Sequence, residues 1–188
     1  MLHVVILYVW PPVCQVAPWQ EHVLFGEKLR KLRQHRGLSQ GELAHQLGLS
    51  SHSHLSNIEG GRRTASLEVT VRAAYYFGVS LDYLIRDTIS LDAVTEYPCP
   101  ATPQASAPQQ FGSKLRTLRR QRSLLQTELG TQLDDLSQSH ISLLEVGQKD
   151  PSLAVVIQIA DFFGVTIDYL MRDEIPINGQ QSSPGEFY

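Results

Sequence analysis

The 188-residue chain contains one sequence pattern twice. The stretch FGEKLRKLRQHRGLSQGELAHQL begins at Phe25 and returns as FGSKLRTLRRQRSLLQTELGTQL, which begins at Phe111. The offset is 111 − 25 = 86 residues, and without a gap it also pairs Asp82 with Asp168. About half of the positions in 25–87 are identical in the second copy. Because self-similarity at a fixed offset marks a repeated structural unit, the sequence predicts two homologous units of some sixty residues.

The repeats divide the chain into five segments. We expect domains at 23–89 and 111–175. The sequence between them, 90–110, reads SLDAVTEYPCPATPQASAPQQ and is rich in Pro, Ala, Ser and Gln, which is typical of a linker. Residues 176–188, which end NGQQSSPGEFY, are expected to form a flexible tail. Residues 1–22 form an apolar extension that we do not expect to belong to a domain.

The apolar extension has three interpretations. Its sequence, MLHVVILYVWPPVCQVAPW, lacks a basic n-region and a small-residue cleavage site, so it is a poor signal peptide. It is a short strand or docking peptide, a weak membrane-surface anchor, or an upstream extension that is not normally translated. The third interpretation is favoured because helical periodicity starts abruptly at Phe25 and because Val23 and Leu24 are candidate alternative start positions.

Composition sets the broad class of protein. A hydrophobic content of 42% suits a globular chain, and no apolar run approaches the roughly 20 residues that span a bilayer. The net charge of −3 does not itself indicate nucleic-acid binding, although a global sum can hide a local patch. The two cysteines, Cys14 and Cys99, lie in Pro-flanked segments and do not suggest a disulfide framework, so a reducing cytoplasmic location is expected.

Each unit has helical periodicity and almost no strand pattern. Phe25, Leu29 and Leu32 lie at i, i+4 and i+7, and Gly37 ends that segment. Serines are expected to cap the following helices: Ser39, which forms a capping box with Glu42, and then Ser51, Ser66 and Ser80. Five short helices per unit are therefore predicted, with the second and third joined by a short turn.

The third helix, in SHSHLSNIEGG, carries the residues with a functional pattern. If Leu55 and Ile58 face inward, four short polar side chains share the outward face: His52, Ser53, Ser56 and Asn57. All four suit base edges, and Asn pairs well with adenine. At the start of the helix, Ser51 offers its hydroxyl and nearby N–H groups to a phosphate. Arg62 and Arg63 follow the helix and are expected to bind the phosphates of a DNA backbone.

Competing interpretations of these residues are weaker. His52 and His54 are two positions apart rather than at the i, i+4 spacing of a helical metal site, so we expect no metal and no cofactor. A merely solvated loop fits poorly with the flanking caps and the second copy. No Ser-His-Asp, Walker or Gly-rich phosphate pattern is present, so we expect no enzyme. The basic run of the first helix, Lys28 to Lys31, is either a solvated face or a phosphate contact.

The segment LSQGELAHQLGLSSHSHLSNIEGGRR, followed by SLEVTVRAAYYFGVSLDYL, resembles the Cro/repressor-type (XRE family) helix-turn-helix of transcription regulators. The resemblance covers nearly all of both repeats. It implies an all-α fold of two tandem five-helix lambda-repressor-like bundles, whose third helix lies in the DNA major groove. It further implies that Gln40 contacts phosphate, that His52, Ser53 and Asn57 read bases, and that ion pairs join the first helix to the end of the third: Arg33 with Glu59, and Arg119 with Glu145.

The two repeats differ in charge and chemistry. Basic minus acidic residues give 9 − 6 = +3 for 25–87 and 7 − 8 = −1 for 111–173. Leu125 replaces the capping Ser39, a loss of about 1 kcal/mol, and Leu143 replaces Asn57. DNA-compatible residues remain in the second copy: Gln138 and Ser139 as base readers, and Gln126, Ser137 and Lys149 as phosphate contacts.

The leading hypothesis is a sequence-specific transcription regulator that places both helix-turn-helix units on adjacent half-sites of double-stranded DNA. Half-sites lie about 34 Å apart. The 111 − 87 = 24 steps from the end of one unit to the other span about 25–29 Å as a flexible linker. In the alternative, the second unit docks a protein partner or mediates oligomerisation while the first alone binds DNA. A regulator anchored to a membrane by the extension is the third possibility, although we expect no membrane partner.

Overall fold

The computed structural model describes residues 23–86, 109–134 and 136–177, and these ranges contain ten helices and no strand. The first repeat forms α1 (Val23–His35), α2 (Gln40–Gln46), α3 (His52–Glu59), α4 (Leu67–Phe77) and α5 (Leu81–Ile85). The second forms α6 (Phe111–Gln121), α7 (Gln126–Gln132), α8 (Gln138–Val146), α9 (Leu153–Phe163) and α10 (Ile167–Met171). The predicted all-α fold of two tandem five-helix bundles is confirmed. The apolar extension, both cysteines and nearly all of the linker and tail lie outside the described residues.

The helices begin where the sequence places capping residues. Ser39 Oγ accepts the N–H of Glu42 at 3.2 Å, and the Glu42 carboxylate accepts the N–H of Ser39 at 2.8 Å, which completes the capping box. Ser51, Ser66 and Ser80 each accept the N–H three residues on. In the second repeat the Leu125 side chain has no acceptor, so α7 keeps only the 2.7 Å contact from the Leu125 N–H to Glu128.

Close backbone contact fixes the third helix of each repeat against the first. A Cβ added at Gly26 in α1 would lie 2.4 Å from the carbonyl oxygen of Ile58 in α3. At the matching Gly112 in α6, it would lie 2.5 Å from the carbonyl oxygen of Leu144 in α8. Only glycine permits this approach, and it holds the C-terminal part of α3 and α8 in a fixed position on each bundle.

A buried lysine joins the first helix of each repeat to the last. Lys28 Nζ donates to the carbonyl oxygens of Tyr83 at 2.6 Å and Arg86 at 2.7 Å, and the residue is fully buried. These carbonyls lie at the C-terminal end of α5, where the helix dipole is negative, so the ammonium acts as a cap for that end. Both sequence-based interpretations of the basic run, a solvated face or a phosphate contact, are therefore wrong for Lys28.

The second repeat has the same arrangement. Lys114 Nζ donates to the carbonyl oxygens of Tyr169 at 2.7 Å and Arg172 at 2.6 Å. Burial lowers the pKa of Lys114, while the charges of Asp173 and Glu174 act in the opposite direction. Arginines fill a similar structural role, since Arg36 donates to the last carbonyls of α4 and Arg122 to those of α9. One lysine within each first helix and the arginine directly after that helix therefore stabilise the bundles.

The two repeats pack against each other through α5 and α10. The Asp82 carboxylate accepts the N–H groups of Ile167 at 2.7 Å and Asp168 at 3.3 Å, at the start of α10. The Asp168 carboxylate accepts the N–H groups of Leu81 at 2.8 Å and Asp82 at 3.3 Å, at the start of α5. Each repeat thus caps a helix of the other, and the pairing follows the 86-residue offset.

Arginines extend this junction asymmetrically. Arg172 binds Asp168 at 2.5 Å, donates to the Val79 carbonyl at 2.9 Å and lies 4.7 Å from the centre of the Tyr75 ring. Its counterpart, Arg86, binds Asp82 at 2.8 Å and Asp161 at 2.7 Å. Position 75 corresponds to 161 under the repeat offset, so one arginine meets an aromatic ring where the other meets a carboxylate. The two sides of the junction are related but not interchangeable.

Both ends of the second repeat extend beyond the predicted boundaries. The N–H groups of Gln109 and Gln110, which we assigned to the linker, donate to the Asp173 carboxylate at 2.9 and 3.0 Å. The Tyr169 hydroxyl donates to the carbonyl of Ile177, a residue assigned to the flexible tail, at 2.8 Å. The contacts to Asp173 span 64 and 63 residues and the contact to Ile177 spans eight, and local composition reveals none of them.

Candidate nucleic-acid interface

The face of α3 predicted to read bases is open to solvent. Leu55 and Ile58 are buried, whereas His52, Ser53 and Ser56 are exposed. Asn57 is half-buried. At 100° per residue, the four predicted base readers occupy an arc of about 140° on one side of the helix. They are therefore placed together where one groove of a duplex can meet all of them.

The two ends of α3 carry the predicted phosphate contacts. Ser51 Oγ accepts the N–H of His54 at 3.3 Å, so its hydroxyl proton is the group that can donate to a phosphate. At the other end, the backbone N–H groups of Arg62 and Arg63 donate to the Asn57 carbonyl at 2.9 and 3.2 Å. Both arginines are exposed. Two guanidinium groups consequently lie directly after the exposed face of α3.

Glu59 joins the first three helices beneath this surface. Its carboxylate accepts from Arg33 Nε at 2.6 Å and Nη2 at 3.0 Å, and from the Gln40 amide at 2.9 Å. The hydrogen bond with Glu59 raises the pKa of Arg33. Gln40, the predicted phosphate contact at the start of α2, thus uses one amide N–H internally and keeps the second for an external acceptor. This network fixes α3 relative to α2.

The second repeat reproduces the network with additional contacts. Glu145 accepts from Arg119 at 2.6 and 3.1 Å and from Gln126 at 2.9 Å, and Arg116 lies 3.5 Å away. Burial acts to raise the pKa of Glu145, but the hydrogen bonds from Arg119 and Gln126 and the charges of the two arginines hold it below its ordinary value. The Gln138 amide also donates to Gln126 Oε1 at 3.1 Å, which links the start of α8 to the start of α7.

The remaining predicted residues of the second repeat lie around α8. Ser137 Oγ accepts the N–H of His140 at 3.2 Å, as Ser51 does in the first repeat. Ser139 and Lys149 are exposed. Lys149 stands beside the acidic Asp150, whereas the first repeat has two adjacent arginines. The positive charge after the third helix is therefore smaller in the second repeat than in the first.

An apolar surface distinguishes α7 and α8 from α2 and α3. Leu125, Leu143 and Val146 are the exposed large hydrophobic residues of the described chain, at 64%, 39% and 58% exposure. They stand where the first repeat has Ser39, Asn57 and Gly60. Sequence reasoning singled out the two leucines but missed Val146, although the repeat offset already pairs it with a glycine. All three changes fall on the face that corresponds to the predicted base-reading face of the first repeat.

Within the described residues, no group of three or more His, Cys, Asp or Glu side chains is placed to bind a metal ion. Over the same residues, no helix is both long and apolar enough to cross a bilayer.

Comparison with known proteins assigns each repeat to a family. Residues 26–88 match a family described as a helix-turn-helix domain, and residues 115–170 match a second helix-turn-helix family. No curated protein was found that matches the chain. The restriction-modification controller protein C.AhdI from Aeromonas hydrophila is 35% identical over 35% of this chain and 94% of that one, with a TM-score of 0.32. The hypothetical transcription factor NHTF from Neisseria is 29% identical over 35% of this chain and 74% of that one, also with a TM-score of 0.32.

The chain therefore belongs to the helix-turn-helix family and carries two XRE-type domains in tandem. Proteins of this class are DNA-binding transcription regulators. The predicted family resemblance of both repeats is confirmed.

Proposed function

We propose that the chain is a sequence-specific transcription regulator in which both helix-turn-helix units of one molecule bind adjacent half-sites of one duplex. The observation that carries this proposal is the reciprocal capping of α5 and α10 by Asp82 and Asp168. In a twofold dimer, residue i of one subunit contacts residue j of the other, and residue j of the first subunit contacts residue i of the second. Here a single chain supplies both halves.

A fixed junction supports cooperative binding better than a flexible tether does. The sequence suggested that the linker alone sets the distance between the two units. The contacts that Asp82, Asp168, Arg86 and Arg172 make across the junction instead hold the repeats together directly. Since the orientation of the second unit is then already restricted, less entropy is lost when it meets the duplex. Linkage of two binding units raises affinity by roughly 10²–10⁴ over either alone when the geometry matches.

The preferred DNA site should consist of two unlike half-sites. His52 and Asn57 of α3 correspond to Gln138 and Leu143 of α8, so the two recognition helices present different groups to base edges. The first repeat also carries more positive charge, and its Arg62 and Arg63 stand where the second repeat has Gln148 and Lys149. A palindrome therefore fits this chain less well than an asymmetric site.

The test is selection of duplexes from a random pool by the full chain, followed by affinity measurements at fixed salt. We expect a bipartite site in which Asn57→Ala relaxes base preference in one half and Gln138→Ala relaxes it in the other. Inserting five base pairs between the halves turns one half-site to the opposite face of the duplex, so affinity should fall by at least tenfold. If the selected site has one half only, and the insertion has no effect, the two-half-site proposal is wrong.

The alternative function, a second repeat that docks a protein, is favoured by the exposed Leu125, Leu143 and Val146. In that case the first repeat alone would account for DNA affinity. The same experiment separates the two functions, because replacing Lys149 and Gln138 would then leave DNA affinity unchanged. A second repeat that binds DNA should respond to both changes.

A further inference from the structure

We propose that the second repeat recognises A·T base pairs, with Leu143 packing against the C5-methyl group of a thymine. This inference rests on the proposed binding of DNA by the second repeat and specifies which bases that repeat prefers. It concerns a leucine that stands at the position of a base-reading asparagine in the first repeat.

The position of Leu143 on its helix supports a base contact. Ile141 and Leu144 are buried in the core, while Gln138, Ser139 and Leu143 are exposed. These three are the first, second and sixth residues of α8, and at 100° per residue they lie within an arc of about 140°. Leu143 consequently shares the exposed face with the two polar residues that the sequence assigns to base reading.

The chemistry of this face matches one type of base pair. In the major groove, thymine offers the C5-methyl group for apolar contact and adenine offers N6 and N7 to a side-chain amide. Leu143 supplies the apolar group, and Gln138 supplies the amide. Gln138 donates one amide N–H to Gln126 Oε1 at 3.1 Å, so its own Oε1 and its second N–H are the groups that can bind the base. An A·T pair presents partners for both side chains, whereas a G·C pair presents no methyl group.

The low positive charge of the second repeat also favours an apolar contact with a base. With a balance of −1 against +3 for the first, it has fewer cations for phosphates. An apolar contact is a source of affinity that does not depend on counterion release. A protein-docking surface would also use Leu143, but Gln138 on the same exposed face carries an amide that suits base edges, and its hydrogen bond to Gln126 holds that amide at the start of the helix.

The test uses the duplex selected by the full chain, in which the thymines of one half-site at a time are replaced by deoxyuridine. This change removes only the methyl group and keeps base pairing and the O4 acceptor. For each contacted methyl we expect about a fourfold loss of affinity, confined to the half-site that Gln138→Ala identifies as that of the second repeat. The ratio of affinities for thymine and uracil duplexes should be nearly the same at low and high salt.

Leu143→Asn, which installs the residue of the first repeat, is the decisive variant. Because Leu143 is exposed, the fold should tolerate this change, and circular dichroism checks that it does. The variant should bind the thymine and uracil duplexes equally well. A matched Asn57→Leu variant in the first repeat should leave the methyl dependence of the second half-site unchanged.

Two results would overturn the inference, and they have different meanings. If uracil substitution has no effect but scrambling the same half-site weakens binding, the second repeat binds DNA without reading methyl groups. If scrambling that half-site also has no effect, the proposed binding of two half-sites fails as well, and the apolar face belongs to a protein contact. A loss with uracil that persists in Leu143→Asn assigns the methyl contact to another residue and also rejects the proposal.

Discussion

Asp82 and Asp168 each accept backbone N–H groups from the start of the other's helix, so the two repeats stabilise one another's last helix. Asp168→Ala should lower the free energy of unfolding by about 3 kcal/mol, because it also removes the carboxylate partner of the buried Arg172. Asp82→Ala should cost less, about 1–2 kcal/mol, since Arg86 keeps Asp161. Urea unfolding measures both, with the exposed Asp150→Ala as the control. Equal losses in all three variants would contradict this account of the junction.

The pH dependence of stability should identify the buried carboxyl group. Burial raises the pKa of Asp168 to about 6, although the charge of Arg172 acts to lower it. The folded-state pKa of Asp168 lies above the ordinary value of 3.8. Between pH 3.8 and about 6, the Asp168 carboxyl group is therefore protonated in the folded protein and ionised in the unfolded chain. The resulting stabilisation, at most about 3 kcal/mol, is present below pH 4 and is lost as the pH rises through 6.

Asp168→Asn cannot titrate, so the stability difference between wild type and variant contains the titration of Asp168. The stability of the wild type relative to the variant should fall from pH 4 to pH 7, as measured by urea unfolding at fixed ionic strength. A constant difference over that range would show that Asp168 does not titrate there. Carboxyl groups far from the junction, such as Glu145, contribute equally to both proteins and cancel.

Restoring the missing helix cap should stabilise the second repeat. Leu125→Ser gives α7 the hydroxyl acceptor that Ser39 gives α2, and Glu128 already supplies the other half of the capping box. We expect a gain of about 1 kcal/mol in the free energy of unfolding. The reverse change, Ser39→Leu, should cost the first repeat a similar amount. Thermal unfolding of both variants tests the pair, and a loss on Leu125→Ser would mean that the leucine side chain has a stabilising contact.

Backbone conformation offers a second stabilising change. Ser123 has φ of 55°, in the left-handed region, where its counterpart Gly37 has φ of 66°. A non-glycine residue there costs roughly 1–2 kcal/mol, offset in part by the extra freedom of glycine in the unfolded chain. Ser123→Gly should therefore stabilise by about 0.5–1 kcal/mol and Gly37→Ser should destabilise. No heavy atom lies within 4 Å of a Cβ at Gly37, so a steric clash would not account for that loss.

The exposed arginines after α3 should determine the salt dependence of DNA binding. Replacing Arg62 and Arg63 with Gln should weaken binding to all sequences alike and reduce the slope of log K against log salt by up to about two. Lys149→Gln should change the slope by at most about one. Fluorescence anisotropy over a salt series measures these slopes. A larger effect from Lys149 would reverse our ranking of the two repeats.

Much of the fold follows from short-range pattern. The helix starts at Ser39, Ser51, Ser66 and Ser80 were readable, because a cap involves residues only three positions apart. The exposed face of α3 was readable for the same reason, since two buried positions, Leu55 and Ile58, fix the orientation of a short helix. The 86-residue offset then carried these predictions to the second copy.

Contacts between residues that are far apart in the sequence could not be predicted from the sequence. Lys28 looks like one member of a basic surface run, yet it reaches carbonyl oxygens 55 and 58 residues further along the chain. Gln40 looks like a free polar residue at a helix start, yet its amide is held by Glu59. In both cases the partner is set by how the helices pack, and no local spacing encodes that packing.

The sequence by itself determined that there are two helical units, where the serine-capped helices of the first unit begin and which face of α3 is exposed. These features depend on periodicity and capping, which act over a few residues. Only the tertiary structure decided that the two units pack directly against each other through α5 and α10, instead of being connected by the linker alone. Asp82 and Asp168 each resemble an ordinary acidic residue in the first turn of their own helix, a favourable place for a negative charge in any helix. Their second partner, the helix start of the other repeat, exists only once the two bundles are in contact.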